Sequence, residues 1–179
     1  MTDEGQNCVQ VFDSNGQFVR KFGSKGPGNE QLDGPFGIGV LSKDHVVVFE
    51  PQNDRLQVFD AQGHFVRIFG VGMFGKGENN HIFVDSQDNI LVADRSKQRV
   101  RVFDEKGNHI KDFGSAILAR GVCMDGEGRI LVVESGNHRI SIFLNFSYFS
   151  ESYFVPCCCC LVSTQTSHKF LLLFAGASF

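Results

Sequence analysis

One pattern of fifteen residues recurs along this chain, and a tandem repeat constrains architecture more strongly than any local propensity. The stretch from Val9 to Gly23 returns from Leu56 to Gly70, with Phe12/Phe59, Asp13/Asp60, Gly16/Gly63, Arg20/Arg67, Phe22/Phe69 and Gly23/Gly70 in register. It returns again from Val100 to Gly114, where Phe103, Asp104, Gly107, Ile110, Phe113 and Gly114 hold their places, and a last copy opens at Ile140-Ser141-Ile142-Phe143 and breaks off. Phe12, Phe59, Phe103 and Phe143 are 47, 44 and 40 residues apart by subtraction. That spacing suits a propeller blade of four short strands with their loops.

The strands are readable inside each copy. Ile90-Leu91-Val92 and Ile130-Leu131-Val132-Val133 are apolar runs, and Val100-Arg101-Val102-Phe103 alternates as a strand buried on one face does. Turn sequences separate them: Asp85-Ser86-Gln87-Asp88-Asn89, Asp104-Glu105-Lys106-Gly107-Asn108 and Asp125-Gly126-Glu127-Gly128. Helical periodicity is absent from this region. The chain is therefore read as all-β, a partial, open β-propeller of about three four-stranded blades with an irregular C-terminal tail. With strands named a to d, residues 8–23 supply c and d of one blade, 36–70 and 82–114 two whole blades, and 121–143 strands a to c of another.

Composition agrees with one structural position filled repeatedly: the chain has 19 Phe, 2 Tyr and no Trp. A net charge of −3 excludes a protein that grips nucleic acid by bulk charge. Four of the six cysteines are adjacent, Cys157 to Cys160, so no disulfide framework is visible and a reducing, cytoplasmic setting is expected. The polar, acidic start is unlike a signal peptide, and no run of about 20 apolar residues suggests a membrane span.

Three copies of one hairpin carry a family likeness. They are Val48-Phe49-Glu50-Pro51-Gln52-Asn53-Asp54-Arg55-Leu56, Val92-Ala93-Asp94-Arg95-Ser96-Lys97-Gln98-Arg99-Val100 and Val132-Val133-Glu134-Ser135-Gly136-Asn137-His138-Arg139-Ile140. An acid ending strand b stands five residues before an Arg opening strand c, as Glu50/Arg55, Asp94/Arg99 and Glu134/Arg139. Across a hairpin loop, carboxylate and guanidinium can meet in a bidentate pair, and recurrence in every blade marks a structural clip rather than a catalytic pair. The first blade has Cys8 where Arg should be, so a looser hairpin is expected there. These residues resemble the NHL repeat over roughly residues 3–143, and the absence of Trp separates them from WD40 blades. The Gly-Xaa-Phe-Val-Arg-Xaa-Phe-Gly endings and Asn-His-Arg-Ile are similar to the C-terminal propeller of tripartite-motif (TRIM) proteins, many of which act as ubiquitin ligases. The resemblance implies a non-catalytic module in such a parent, whose catalytic RING lies outside this chain, docking a protein or a single-stranded or stem-loop RNA.

The loops joining b to c and d to a share one rim, which is the expected binding face. Lys25, Asn53, Lys76, Arg95, Lys97, Arg120, Asn137 and His138 fall there, with Phe36 and Phe74 nearby; Phe74 is open to two readings, an exposed stacking platform or a plug at the blade junction. Glu30, Asp33, Asp54 and Glu78 occupy the same loops and leave a balance of only about one positive charge. No cofactor, resident metal, DNA partner or membrane is expected. Self-association through open blade edges is expected instead. The competing readings are a fragment of a lyase-type, metal-dependent six-bladed enzyme and a truncated product without function. The first would need His or acidic ligands on inner strand a, yet Ile38, Val40, Val84 and Val122 make it apolar, with only Asp85 and Asp125 at its end.

Residues 1–143 are thus the repeat domain. Residues 144–179 form a hydrophobic, Cys-rich segment outside the repeat, expected to be disordered or an aberrant product, with 144–150 as a candidate substitute strand d.

Overall fold

The computed structural model describes residues 1–76, 80–114 and 118–143 in full, and residues 152–156, 162–166 and 169–173 as backbone strands. Blade 1 contains β1 (Thr2–Asp3), β2 (Cys8–Phe12) and β3 (Phe18–Phe22). The connection to the next blade holds two short parallel strands, β4 (Ser24–Lys25) and β5 (Gln31–Leu32). Blade 2 runs through β6 (Ile38–Val40), β7 (Val46–Glu50), β8 (Arg55–Phe59) and β9 (Phe65–Phe69). Blade 3 repeats it as β10 (Ile82–Val84), β11 (Ile90–Asp94), β12 (Arg99–Phe103) and β13 (His109–Phe113). Blade 4 has β14 (Ala119–Met124), β15 (Ile130–Glu134) and β16 (Arg139–Phe143), and its sheet continues through β17 (Ser152–Pro156), β18 (Val162–Thr166) and β19 (Lys169–Leu173). Within every blade, strands adjacent in sequence pair antiparallel. The position of strand d in blade 4 is taken by β17; the candidate stretch 144–150 lies outside the described residues.

The inner strands β6, β10 and β14 pack side by side, so the sheets succeed one another around a common axis. What holds one sheet on the next is a repeated aromatic pair. The Phe ending strand d of one blade lies on the Phe ending strand c of the next: Phe22 on Phe59 at 5.0 Å between ring centroids, Phe69 on Phe103 at 5.3 Å and Phe113 on Phe143 at 5.0 Å. These separations fall in the range of favourable tilted and edge contacts. A β-bulge shifts the c–d register at the same place in blades 1 to 3, between Val11 and Phe12, Val58 and Phe59, and Val102 and Phe103. Such a bulge re-aims a side chain, here the recurring Phe.

Two further contacts recur at the junctions of blades 1 and 2 and of blades 2 and 3. The Arg20 guanidinium donates to the Ala61 carbonyl, and Arg67 does the same to Glu105, each reaching the c–d loop of the following blade. The Gly closing that loop lies under the incoming ring: a Cβ on Gly63 would stand 2.6 Å from Phe22, and one on Gly107 2.5 Å from Phe69. Close approach and the positive φ of these turns both require Gly. The loops entering blades 2 and 3 add an apolar plug, Leu32 and Phe74, each fully buried between neighbouring sheets.

Blade 1 shows what the pair does when one half is missing. Phe12 occupies the same repeat position as Phe59 and Phe103, yet it is 40% exposed where they are 0% and 1%, and it meets only its own blade's Phe18. Gly16, the counterpart of Gly63 and Gly107, faces open space. We expect Phe103→Ala to lower unfolding free energy by about 3–5 kcal/mol, the usual cost of emptying a packed aromatic site. Phe12→Ala should cost under about 1 kcal/mol, and urea denaturation of the two variants measures the difference.

Candidate functional site: the hairpin rim

The last ladder pair of strands b and c is Glu50↔Arg55 in blade 2, Asp94↔Arg99 in blade 3 and Glu134↔Arg139 in blade 4, so each acid faces its Arg across the turn. Two of the three expected ion pairs form. Arg55 donates to both oxygens of Glu50, Nε to Oε1 at 2.9 Å and Nη2 to Oε2 at 3.3 Å, while its remaining donors hold the carbonyls of Pro27, Gly28 and Gln31. Arg139 Nε meets Glu134 Oε2 at 3.0 Å.

The third pair does not form, which corrects the spacing rule. Arg99 turns to Asp112 on strand d, with Nη1 to Oδ2 at 3.0 Å, and Asp94 takes Arg101, with Nε to Oδ2 at 2.7 Å. Side-chain length gives the reason. Glu extends one methylene further, clears the turn and meets both the Arg five residues on and the amide of Asn53 or Asn137 three residues on, each at 2.6 Å. Asp is too short for that and folds back onto the turn's own backbone, accepting the Lys97 N–H at 3.0 Å; Asp3 does the same with the Gln6 N–H at 2.9 Å.

The contact common to all four blades lies seven residues beyond the acid. Gln10 donates to Asp3 at 2.6 Å, Gln57 to Glu50 at 2.7 Å, Arg101 to Asp94, and the Ser141 hydroxyl to Glu134. Sequence reasoning passed over this position, although the period of two along strand c places it on the same face as the Arg. The blade 1 hairpin expected to be loose is therefore held on Asp3 without an Arg. The carboxylates of Glu50, Asp94 and Glu134 are fully buried, and buried charge is tolerated only when paired and hydrogen-bonded.

This framework removes some expected contacts from the rim. The amides of Asn53 and Asn137 are turned onto their blades' own carboxylates. Phe74, a candidate stacking platform, is buried against Phe49 and Phe103 with the Arg101 guanidinium 5.7 Å from its ring. It is held there because Asp54, itself buried, accepts the N–H of Phe74 at 2.9 Å and of Gly75 at 3.1 Å. Lys76, Lys97, Arg120 and His138 are exposed, and Arg95 is half-buried. The Ser96 hydroxyl donates to the Phe74 carbonyl, seating the loop that carries Lys76 against the hairpin that carries Arg95 and Lys97; β14, with Arg120, packs beside β11. Lys25 stands apart, in a polar cleft between blades 1 and 2 shared with Glu4 and Asp33.

No group of three or more His, Cys, Asp or Glu side chains among the described residues is arranged to hold a metal ion. Asp85 and Asp125, the acids at the ends of the inner strands, each cap their own turn, accepting N–H groups two and four residues on at 2.8–2.9 Å.

Residues 118–143 match the NHL repeat, the copy made by β14 to β16. Solved structures extend the likeness to the whole arrangement. A streptogramin B lyase superposes with a TM-score of 0.63 at 14% identity over 98% of this chain and 64% of its own. The virginiamycin B lyase of Staphylococcus aureus gives 0.63 at 11% identity over 99% of this chain and 66% of its own. A nidogen/laminin complex gives 0.64 at 14% identity over 84% and 57%. The chain therefore spans under two thirds of the length of these relatives. At such identities the likeness is one of fold, a β-propeller, and it covers proteins that differ in activity. No curated protein sequence matches the chain.

Arg55→Ala should cost about 3–5 kcal/mol by stranding the buried Glu50 charge. Arg99→Ala, which removes only a half-exposed contact, should cost under about 1 kcal/mol; parallel urea titrations test the contrast. A pH dependence follows from Asp112. Burial raises its pKa, but hydrogen bonds from His109 and Arg99 and the charge of Arg101 outweigh this and leave it lowered. A depressed carboxylate stabilises the fold above its unfolded pKa of about 4, and that contribution is lost as pH falls through the folded value. Asp112→Asn should lower the melting temperature at neutral and alkaline pH, leave it unchanged below the folded pKa, and so flatten its fall on the acid side, as melts across pH measure.

Proposed function

We propose that this chain is a non-catalytic binding scaffold that docks an acidic protein segment on the hairpin rim across blades 3 and 4, within a parent resembling the tripartite-motif ubiquitin ligases. The observation that carries this reading is an imbalance between framework and surface. On that part of the rim, Asp54, Asp94 and Glu134 are buried and committed to internal hydrogen bonds, while Lys76, Lys97 and Arg120 are exposed. On this part of the rim the described hairpin acids are thus buried while the described Lys and Arg side chains reach solvent; Glu30, exposed, and Asp33, half-buried, lie in the loop between blades 1 and 2. Such a surface steers and orients a partner of opposite charge.

A protein partner is favoured over RNA because base recognition needs exposed aromatic faces beside the cations: Phe74 is enclosed, and Phe36, which is 40% exposed, lies in blade 2 rather than beside the blade 3 and 4 cations. The nidogen/laminin neighbour supplies a case of the fold in a protein complex. The lyase neighbours supply the enzymatic counter-reading, and commitment of Asp85 and Asp125 to their turns weighs against it. The uncovered Phe12 face supports self-association through the blade edge as a second property of the isolated chain.

The test is binding of a fluorescent glutamate-rich peptide and of oligouridine to the full chain, with the Lys97→Glu/Arg120→Glu double variant as control. The peptide should bind the wild type with salt-sensitive affinity and lose about tenfold in the variant. Preferential, salt-sensitive binding of oligouridine would replace the protein reading with RNA, and binding of neither would remove this rim as the site.

A further inference from the structure

The face opposite the hairpin rim carries a departure from the repeat. Five turns in the chain begin with an Asp whose carboxylate accepts the backbone N–H groups two and four residues ahead. They start at Asp13, Asp60, Asp85, Asp104 and Asp125, with bonds of 2.8–2.9 Å throughout. These donors favour negative charge: the His64 N–H is the largest influence holding the half-buried Asp60 below the usual carboxylate range. The a–b turn of blade 2 has the same backbone closure, Leu41 N–H to the His45 carbonyl at 2.8 Å, as the blade 3 turn has from Asp85 to Asn89 at 3.0 Å. At the capping position, however, it has Leu41, whose side chain is buried in the core.

This turn thus lacks the carboxylate of its counterparts, its His45 N–H closing on the Ser42 carbonyl at 3.5 Å instead, and cationic side chains gather around it. A cleft of about 190 Å³ opens between blades 2 and 3 at this turn, lined by Ser42, Lys43, His45, Arg67 and Lys106. Lys43 and Lys106 are exposed, on opposite walls. Two acids share the cleft. Asp88 is committed to Ser42, accepting its N–H at 2.7 Å, and Glu105 stands beside Arg67. Lys43 sits in the left-handed region at φ 61°, as does Asp44 at φ 60°. Two consecutive residues other than Gly in that conformation cost energy that regular turns avoid, and the bond to Asp88 from the neighbouring blade pins them.

We propose that this cleft is a second binding site, one that takes a phosphate group, with the Lys43 N–H and the Lys43 and Lys106 ammonium groups as donors and Arg67 behind them. Its volume is below the range of about 300–1,000 Å³ typical of pockets for whole drug-sized ligands. It suits a single tetrahedral anion presented from solution or on a phosphorylated side chain. The site lies on the other face from the protein-docking rim and does not depend on that reading.

The test uses the full chain and inorganic phosphate, with chloride at matched ionic strength as control. Phosphate should raise the melting temperature saturably and shift the amide resonances of Ser42, Lys43 and His45. Lys43→Gln and Lys106→Gln are surface changes that preserve the fold, and each should weaken phosphate affinity about threefold, the scale of an exposed charge contact. Leu41→Asp, which restores the covalent carboxylate, should abolish the response. A phosphoserine peptide that binds more tightly than its unphosphorylated form assigns the anion to a modified side chain, and a response to inorganic phosphate alone assigns it to the free ion. A non-saturating rise that is equal in wild type and both Gln variants overturns the proposal.

Discussion

The contact on which the rest depends is the Phe–Phe pair between successive blades. A four-stranded sheet of this size has two apolar faces and cannot bury either alone, so its stability comes from its neighbours. Phe59 and Phe103 are covered because Phe22 and Phe69 arrive from the preceding blade, and the Arg20 and Arg67 latches fix the rotation at which they arrive. The bulges before Phe59 and Phe103, the Gly under Phe22 and Phe69 and the plugs Leu32 and Phe74 all serve that one contact. Remove it, as at Phe12, and a ring elsewhere in the core stands 40% exposed.

Within a blade the organising element is a buried carboxylate. A charge of this kind costs several kcal/mol to desolvate and is kept only with a complete set of donors. The four hairpins meet that requirement with different partners. Glu uses Asn, Arg and the residue seven ahead; Asp uses a backbone N–H and the residue seven ahead. The hairpin geometry survives the exchange of Arg for Cys8 because the Gln10 donor remains. Blade 3 adds a line of charge, Asp94 to Arg101 and Arg99 with Arg101 to Asp112, that joins the rim to its outer strand.

The fold was legible in the sequence because Phe12, Phe59, Phe103 and Phe143 recur with their turns, and repetition reveals a structural position without knowledge of its contacts. The Glu50/Arg55 and Glu134/Arg139 pairs were legible for the same reason. Asp94/Arg99 was not, since a regular spacing in the sequence conceals the methylene by which Asp falls short of Glu. Phe74 sits in an aperiodic loop, where no pattern distinguishes a ring turned outward from one that plugs the blade junction; Asp54, which turns it in, reads along the chain as an ordinary loop acid. Asn53 and Asn137 read as rim residues for a similar reason, their loops being exposed while their amides point inward.

These misreadings share a cause that also bears on function. Counting charged and aromatic residues in a loop treats them as one population, whereas the repeat divides them into a set that the blade consumes and a set it leaves free. The division follows from donor and acceptor accounting: Asp54, Asp94 and Glu134 are consumed by internal hydrogen bonds, so among the described residues of the rim at blades 3 and 4 it is Lys76, Lys97 and Arg120 that face solvent. Where a framework residue is replaced, the accounting changes sign. Cys8 in place of Arg removes a cation and leaves the hairpin intact, because the Asp there has other donors. Leu41 in place of Asp removes an acceptor beside Lys43 and Lys106, and the His45 and Ser42 N–H groups turn to the Ser42 carbonyl and to Asp88 of the next blade. In a repeat whose members are otherwise satisfied internally, a position that breaks the pattern by removing an acceptor, rather than a donor with substitutes, is where an outside ligand has something to contribute.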